Sequence, residues 1–436
     1  MHSETNNYMR YFRQALALIR EERLYSAMYI AGTALAIAFT MLIAEVFYVK
    51  VADIAPEVRR SRTYYLDFLP LKSDPNTGAP LNHEVFTTLF QKMKTPECVT
   101  GAVVIHSNDR PYIKMADGLH DRAVTSKSVE PGYFRFYEYR FVQGAPFTQD
   151  DFDNGRNVAV ITDEVSDLLF GRGADAVGKT ISVNNFDFRV CGVVEAPSAL
   201  MEESVADIWM PYTTTLAFSG WEVNWRETPI DVTFSVPAAK REAFMQELKE
   251  VEARYNSVHK GQEAEIAPHL KSHYSKVWEG IADVFDAWDQ DLIWYVAPAI
   301  LLLLLVPALN LSGMVASRME RQLPEMAIRK AFGAKRRTLL GQVIMENLVL
   351  TLIGGVIGLC IAWTALYAWR DWVFYVFSDS SSLYGSVPIV HGEMLFGPAV
   401  FAIALLVCCV LNVLAATLPA WLSLRKSIVE SMMIKK

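Results

Sequence analysis

Four long apolar runs divide this chain, and runs of that length leave few folds open. Met28 to Val49 (MYIAGTALAIAFTMLIAEVFYV) carries a single charge, Glu45, and roughly 20 apolar residues are enough for a helix to cross a bilayer. The second run, Leu292 to Val315, holds a block of five leucines and two prolines, Pro298 and Pro307. A membrane helix tolerates such prolines because neighbouring helices satisfy the freed carbonyls. Leu348 to Trp369 and Met394 to Leu418 complete the set, interrupted only by small or weakly polar residues such as Gly354, Gly358, Pro398 and Asn412. The first run exceeds the roughly 7 to 15 residues of a signal-peptide core, and no A-x-A site follows it. The chain therefore reads as an α-helical membrane protein with four transmembrane helices, at 28–49, 292–315, 348–369 and 394–418.

Composition removes the competing classes. With 52% hydrophobic and 20% charged residues the chain is too apolar for disorder over most of its length. Its 5 cysteines in 436 residues exclude a disulfide scaffold, and a net charge of -7 argues against a dedicated nucleic-acid binder. Basic residues near span ends stay cytoplasmic. They cluster in the amino-terminal tail (Arg10, Arg13, Arg20, Arg23), in the loop 316–347 (from Arg318 to Arg337) and in the tail 419–436, whereas the loop 370–393 has one Arg and no Lys. Both termini are thus predicted inside, and 50–290 becomes a large extracytoplasmic domain. Met9, Phe12, Leu16 and Ile19 recur at helical spacing among the arginines of 1–27, as in a helix lying at the interface.

The external segment reads as an α+β domain. Thr63 to Phe68 and Val99 to Ile105 look like strands around a helical Glu84 to Lys94, and Asp231 to Val236 (DVTFSV) is a half-buried strand. It precedes a helix, Glu242 to Tyr255, with Phe244, Leu248 and Val251 on one face. The expectation is a split βαβ unit interrupted by a β-rich subdomain, about Ser107 to Pro211, whose turns fall at Asp153 to Gly155 and at Asn184 and Asn185. Gly173 to Thr180 matches the phosphate-loop pattern G-x-x-x-x-G-K-[ST]. That chemistry requires a strand entering and a helix leaving, whereas here Glu164 to Phe170 looks helical and Ile181 to Val190 looks like a hairpin, so the match is read as a turn. His269 and His273 could share a helix face as two metal ligands, but they lack the H-E-x-x-H context and are expected to be solvated. Cys98 and Cys191 are either bridged or free; their spacing does not decide. Cys360, Cys408 and Cys409 read as packing residues within the spans. Glu45, within about a turn of the outer interface, is expected to snorkel. Nothing in the chain reads as a catalytic, cofactor-binding or metal site.

In the loop 316–347, Pro324 suits a first helical turn, Glu325 complements the positive helix end, and Gly333 stops the helix. Met326, Ile328 and Phe332 then share a short helix with Arg329 and Lys330. Spacing alone leaves two readings open: an anchor that touches lipid headgroups, or a docking helix. The segment Glu325-Met-Ala-Ile-Arg329-Lys330-Ala331-Phe-Gly333-Ala334, followed by Gln342 and Glu346-Asn347, resembles the signature of the FtsX/MacB-type ABC transporter permeases. Pro307 to Gly313, Gly354 to Gly358, Asn157 to Thr162, Leu169 to Gly171, Val177 to Ile181 and Val190 to Val194 extend the likeness. Met326 stands where an aliphatic is usual, and the loop 370–393 is longer than a minimal turn.

The resemblance implies a permease that forms a homodimer or a heterodimer with a related permease. A coupling element carried by Arg321, Glu325, Ile328, Arg329, Lys330, Phe332, Gly333 and Ala334 would dock on a separate cytoplasmic ABC ATPase. The predicted cytoplasmic pieces, about 27, about 30 and about 18 residues, are far smaller than the roughly 200 of an ATPase domain, so ATP is expected on the partner and no cofactor on this chain. Gly354 and Gly358 form a small-xxx-small step for helix packing, with a dimer seam as one place for it. Membrane lipids and an outer-envelope partner complete the implied surroundings in a bacterial cytoplasmic membrane. Three functions remain: export of a peptide, lipoprotein or hydrophobic compound; signalling to a cell-wall hydrolase or sensor; or a membrane-anchored binding protein without an ATPase.

Overall fold

The computed structural model describes residues 23–79, 81–103, 111–115, 119–198, 200–214, 228–284, 328–329, 331–333, 336–377 and, between 401 and 421, residues 401–403, 405–407, 409–411, 413–414, 417 and 421. The second predicted span and most of the amino-terminal tail lie outside them. The chain divides into two compact units, one containing the long helices (Met1–Val49, Phe285–Phe377 and Val390–Lys436), called the helical unit, and an α/β one (Lys50–Val284 with Ser378–Ile389), called the external unit after its predicted placement. In chain order the elements are α1 (Arg23–Val51), β1 (Thr63–Leu66), β2 (Leu69–Leu71), β3 (Asp74–Ala79), β4 (Cys98–Val103), β5 (Tyr112–Lys114), β6 (Asp121–Ala123), β7 (Ser126–Val129), β8 (Phe141–Gly144), β9 (Val158–Thr162), α2 (Asp163–Phe170), β10 (Thr180–Val183), β11 (Phe186–Val194), β12 (Ile208–Pro211), β13 (Ile230–Ser235), α3 (Arg241–Val258), β14 (Lys271–Ser272), α4 (His273–Val284) and α5 (Arg336–Phe377).

In the external unit β13 lies between β1 and β4 and is antiparallel to both, so β1 and β4 run parallel to each other, the split βαβ arrangement. Along β13, Ile230, Val232 and Phe234 point to one face, where Phe244, Leu248, Val251 and Tyr255 of α3 cover them. Asp231, Thr233 and Ser235 point to the other. The crossover helix between β3 and β4, His83–Val85 continued by Phe86–Phe90, is shorter than its sequence suggests: Asn82 caps it by accepting from the Val85 amide at 3.1 Å, and Phe86–Phe90 is wound as a π-helix. Thr87 and Thr88 bond back to the His83 and Glu84 carbonyls, a competition that weakens a helix interior.

The inserted strands do not fold away as a separate sheet. β7 pairs with β4, and the order continues through β12, β9, β11 and β10 to β5 and the edge strand β6, giving one 12-stranded sheet. A second core gathers Ile113, Ala159, Ile161, Val183, Phe188, Val190 and Ile208 beneath α2. The β10–β11 hairpin turns at Asn184 and Asn185, both with positive φ (48° and 66°), which asparagine tolerates better than most residues.

In the helical unit, α1 and α5 are each long and apolar enough to cross a membrane. α5 starts well before the predicted span, inside the predicted loop 316–347, and Trp369 interrupts its helical backbone. Residues of the fourth run are helical where described, Phe401–Leu411 being apolar but shorter. Buried Tyr29, Thr33, Ile37 and Met41 form a stripe at every fourth position of α1, and Asn347, Thr351, Gly354, Gly358, Ala362 and Leu366 line α5. Tyr29 Oη meets Thr351 Oγ1 at 3.3 Å, and a side chain at Gly354 or Gly358 would collide with Thr33 or with the Ala34 carbonyl respectively. These pairs advance together along both helices, so α1 and α5 run in the same direction. The two glycines therefore serve an intrachain contact between α1 and α5. Glu45 is fully buried rather than snorkelling outward.

Candidate coupling site and the base of the external unit

Of the residues proposed for coupling, Arg321, Glu325, Lys330 and Ala334 lie outside the described residues. Ile328, Arg329 and Ala331 are helical and Phe332 and Gly333 turn; the Phe332 amide donates to the Ile328 carbonyl at 3.1 Å. Gly333 takes a φ of +92°, a backbone that glycine adopts at little cost. Arg329 and the two apolar residues behave differently. The Arg329 guanidinium donates to Gln342 Oε1 at 2.9 Å, and Gln342 Nε2 donates to Glu346 Oε1 at 2.9 Å, one turn further along α5. Glu346 is buried. Ile328 is 50% and Phe332 88% exposed. The basic residue thus braces the elbow against α5, while the apolar ones stand out from it. Sequence spacing had put all of them on one surface; Gln342 and Glu346, visible only as part of the resemblance, are the partners that separate them.

Where the chain enters the external unit and where it leaves through α4, here called the base of the unit, lies a buried polar cluster that no local pattern signals. Glu57 and Arg60, each 3% exposed, pair through Arg60 Nε and Glu57 Oε2 at 2.6 Å. The other Glu57 oxygen accepts from the Ser204 amide at 3.0 Å and its hydroxyl at 2.7 Å. Burial alone would raise the Glu57 carboxyl, but the Arg60 charge and the Ser204 bonds hold it below the ordinary carboxylate range. His273 is buried, not solvated. Its Nε2 sits 2.9 Å from the Lys50 carbonyl, which can only accept, so Nε2 carries the proton and Nδ1 accepts from the Tyr65 hydroxyl at 3.0 Å. Burial lowers its pKa, and the Arg60 charge lowers it further. His269 belongs to a separate 3-10 turn, Ala267–His269, so the two histidines do not form the expected helical pair.

Beside them Lys276 pairs with Glu203 at 2.8 Å. Against its partial desolvation, the Glu203 and Asp67 charges raise the Lys276 pKa. Asp231 is pushed up to about 7, first by burial and then by the Asp67 charge.

Gly173 to Thr180 joins α2 to β10, a helix followed by a strand, and Gly178 N and Lys179 O bond to Val190 in the hairpin. That is the reverse of the order a phosphate loop needs. Cys98 and Cys191 are separate free thiols, and burial pushes the Cys191 pKa to about 12, far from reactive. Among the described residues no group of His, Cys, Asp and Glu could hold a metal ion.

Comparison with known proteins fixes the family. Residues 26–251 match the MacB-like periplasmic core domain, over half of the chain, and residues 298–428 match the FtsX-like permease C-terminal domain. The macrolide export ATP-binding/permease protein MacB of Escherichia coli K12 is 23% identical over 314 residues, 70% of this chain and 45% of that protein, and the Shigella flexneri protein of the same name matches equally. The chain spans about half the length of these relatives. Among solved structures, the extracellular domain of the ABC-type transporter YknZ covers 46% of this chain and 97% of its own at 19% identity and a TM-score of 0.35. The periplasmic region of MacB from Actinobacillus actinomycetemcomitans covers 50% and 91% at 17% and 0.37. An ABC transporter permease is the class that the two domain matches define. The chain belongs to the FtsX/MacB-type family of these permeases.

Proposed function

We propose that this chain is the permease subunit of an ABC exporter in a bacterial cytoplasmic membrane, both termini inside, passing the motion of a separate cytoplasmic ATPase to its external unit. The observation that carries the proposal is the elbow at Ile328–Gly333. Two exposed apolar side chains stand on a turn whose arginine is bonded into α5, a geometry suited to receive a push from a docked protein and hand it to a helix long enough to cross the membrane. Glu325 and Lys330 complete the docking surface in this reading, with Arg321 and Ala334 at its ends, and ATP binds the partner only. The common direction of α1 and α5 supports the four-span arrangement, in which the first and third spans both run outward. The macrolide export for which the MacB relatives are named favours a hydrophobic compound as cargo over activation of an envelope hydrolase or sensor.

The test is co-purification of a cytoplasmic ATPase with the detergent-solubilised chain, wild type beside Ile328→Asp with Phe332→Asp. Retention by the wild type and loss from the variant is the expected result. Equal recovery by both excludes this elbow as the docking point, and no ATPase with either favours an anchored binding protein. Cargo efflux from membrane vesicles, set against stimulation of a co-expressed envelope hydrolase, separates export from signalling.

A further inference from the structure

The loop Met201–Ser204 belongs to the inserted region, yet it is held by residues far away in the sequence. Lys50, near the end of α1, reaches Glu202 at 3.5 Å. From the linker that follows, Glu57 accepts both bonds from Ser204, and Arg60 Nη2 lies 2.7 Å from Met201 Sδ. From α4, the helix that precedes the second apolar run, Lys276 pairs with Glu203. The inserted region grips the same loop from its own side. Lys127 of β7 donates to the Glu202 carbonyl at 3.1 Å and to that of Glu203; Tyr133 and Tyr139 donate to the Glu203 and Ser204 carbonyls at 2.9 and 2.5 Å. Met201 and Ser204 are fully buried.

The two stretches that connect the external unit to the apolar runs also join each other through His273 and the Lys50 carbonyl. A displacement of either stretch therefore acts on this loop, which leads directly into β12 and, through Lys127, bears on β7. The linker has a second hold on the inserted region: Arg59 donates to the Arg135 and Phe136 carbonyls at 2.9 and 2.6 Å, and the Glu138 amide donates to the Pro56 carbonyl at 2.9 Å. That hold does not include α4.

We propose that Met201–Ser204 is a positioning loop through which movement of Lys50–Arg62 and His273–Val284 reaches the inserted strands β7 and β12, with Glu57 and Lys276 as the residues that engage it. This rests on the ATP-driven reading above. Spin labels placed by unnatural amino acids at exposed Tyr274 (α4), Val258 (α3) and Tyr112 (β5) report two distances in the full chain with its ATPase. Without and with trapped ATP, both the 274–258 and the 112–258 distances are expected to shift in the wild type. In Glu57→Gln with Lys276→Met the ATPase stays bound and 274–258 still shifts, while the 112–258 shift falls to a fraction of the wild-type one, the remainder carried by the Arg59 hold; Lys276→Arg with Glu57 intact returns the full second shift. A 112–258 distance that follows ATP unchanged in the double variant overturns the proposal.

A wild type in which neither distance moves overturns the ATP-driven reading instead, and hydrogen exchange on the chain alone then decides the loop. Lys276→Met is expected to speed exchange at the Ser204 and Val205 amides and onward at Arg62 and Glu138. Acceleration confined to α4 overturns the loop's role.

Discussion

The contact between α1 and α5 and the base of the external unit are held by opposite means. In the helical unit the contact is one of shape: at Gly358 any side chain would come within 2.5 Å of the Ala34 carbonyl oxygen. At the external base it is one of charge, with buried Glu57, Arg60 and His273 beside the half-buried pair Lys276 and Glu203. A contact set by shape ignores pH and salt but not volume. A contact set by buried charges tolerates a conservative exchange but not the loss of one partner, because the other is then left uncompensated.

The largest effect should come from breaking the charged side. Glu57→Ala strands Arg60 and the Ser204 donors, and a loss of about 3–5 kcal/mol is expected for removing one partner of a buried pair; thermal unfolding of the purified chain, followed by tryptophan fluorescence, measures it. Gly358→Leu is the counterpart on the side set by shape. Overpacking at about 1–3 kcal/mol should lower the melting temperature of the helical unit by the same amount at pH 6 and pH 8; a pH-dependent loss would contradict a contact set by shape.

Asp231 sharpens the contrast through pH. Its carboxyl titrates at about 7 in the folded chain against an ordinary value of 3.8, so between these values the unfolded chain releases a proton that the folded one keeps. Stability therefore falls as pH rises through that window. Asp231→Asn should match the parent at pH 4 and exceed it at pH 8 by about 1 kcal/mol or more, one pKa unit being worth about 1.4 kcal/mol. Glu57 has the opposite sign: its pKa is lowered, so its contribution is present above its unfolded value of 4.5 and is lost as pH falls through the folded one. The smallest effect on stability belongs to the elbow. Phe332→Ser, at an exposed position, should change stability by no more than about 0.5 kcal/mol, while co-purification of the ATPase drops.

What could be read from the sequence follows the same division. Periodic features were legible: the first and third apolar runs both fall within long helices, the α3 face of Phe244, Leu248 and Val251 is buried, and β13 is flanked as a split βαβ unit requires. The false phosphate loop was legible too, because the order of helix and strand is a local property. The charged base was not. Ser204 meets Glu57 across 147 residues, and no spacing rule connects them. From sequence His273 reads as a solvated side chain because its partners, Tyr65 and the Lys50 carbonyl, lie more than 200 positions away. At the elbow the residue types were legible through the resemblance, but the inward turn of Arg329 depends on Gln342, on a neighbouring helix.

The continuity of the 12-stranded sheet bears on how this family can be recombined. Because β7 completes the hydrogen bonding of β4 through Ala102 and Val129, the inserted region is not a cassette to be lifted out at its two crossing points. Excision would bare a strand edge in the middle of the domain. A chimera that swaps recognition surfaces has to cut further along the sheet, towards the β5–β6 hairpin, where the last strand is exposed along its whole length and has a partner on one side only.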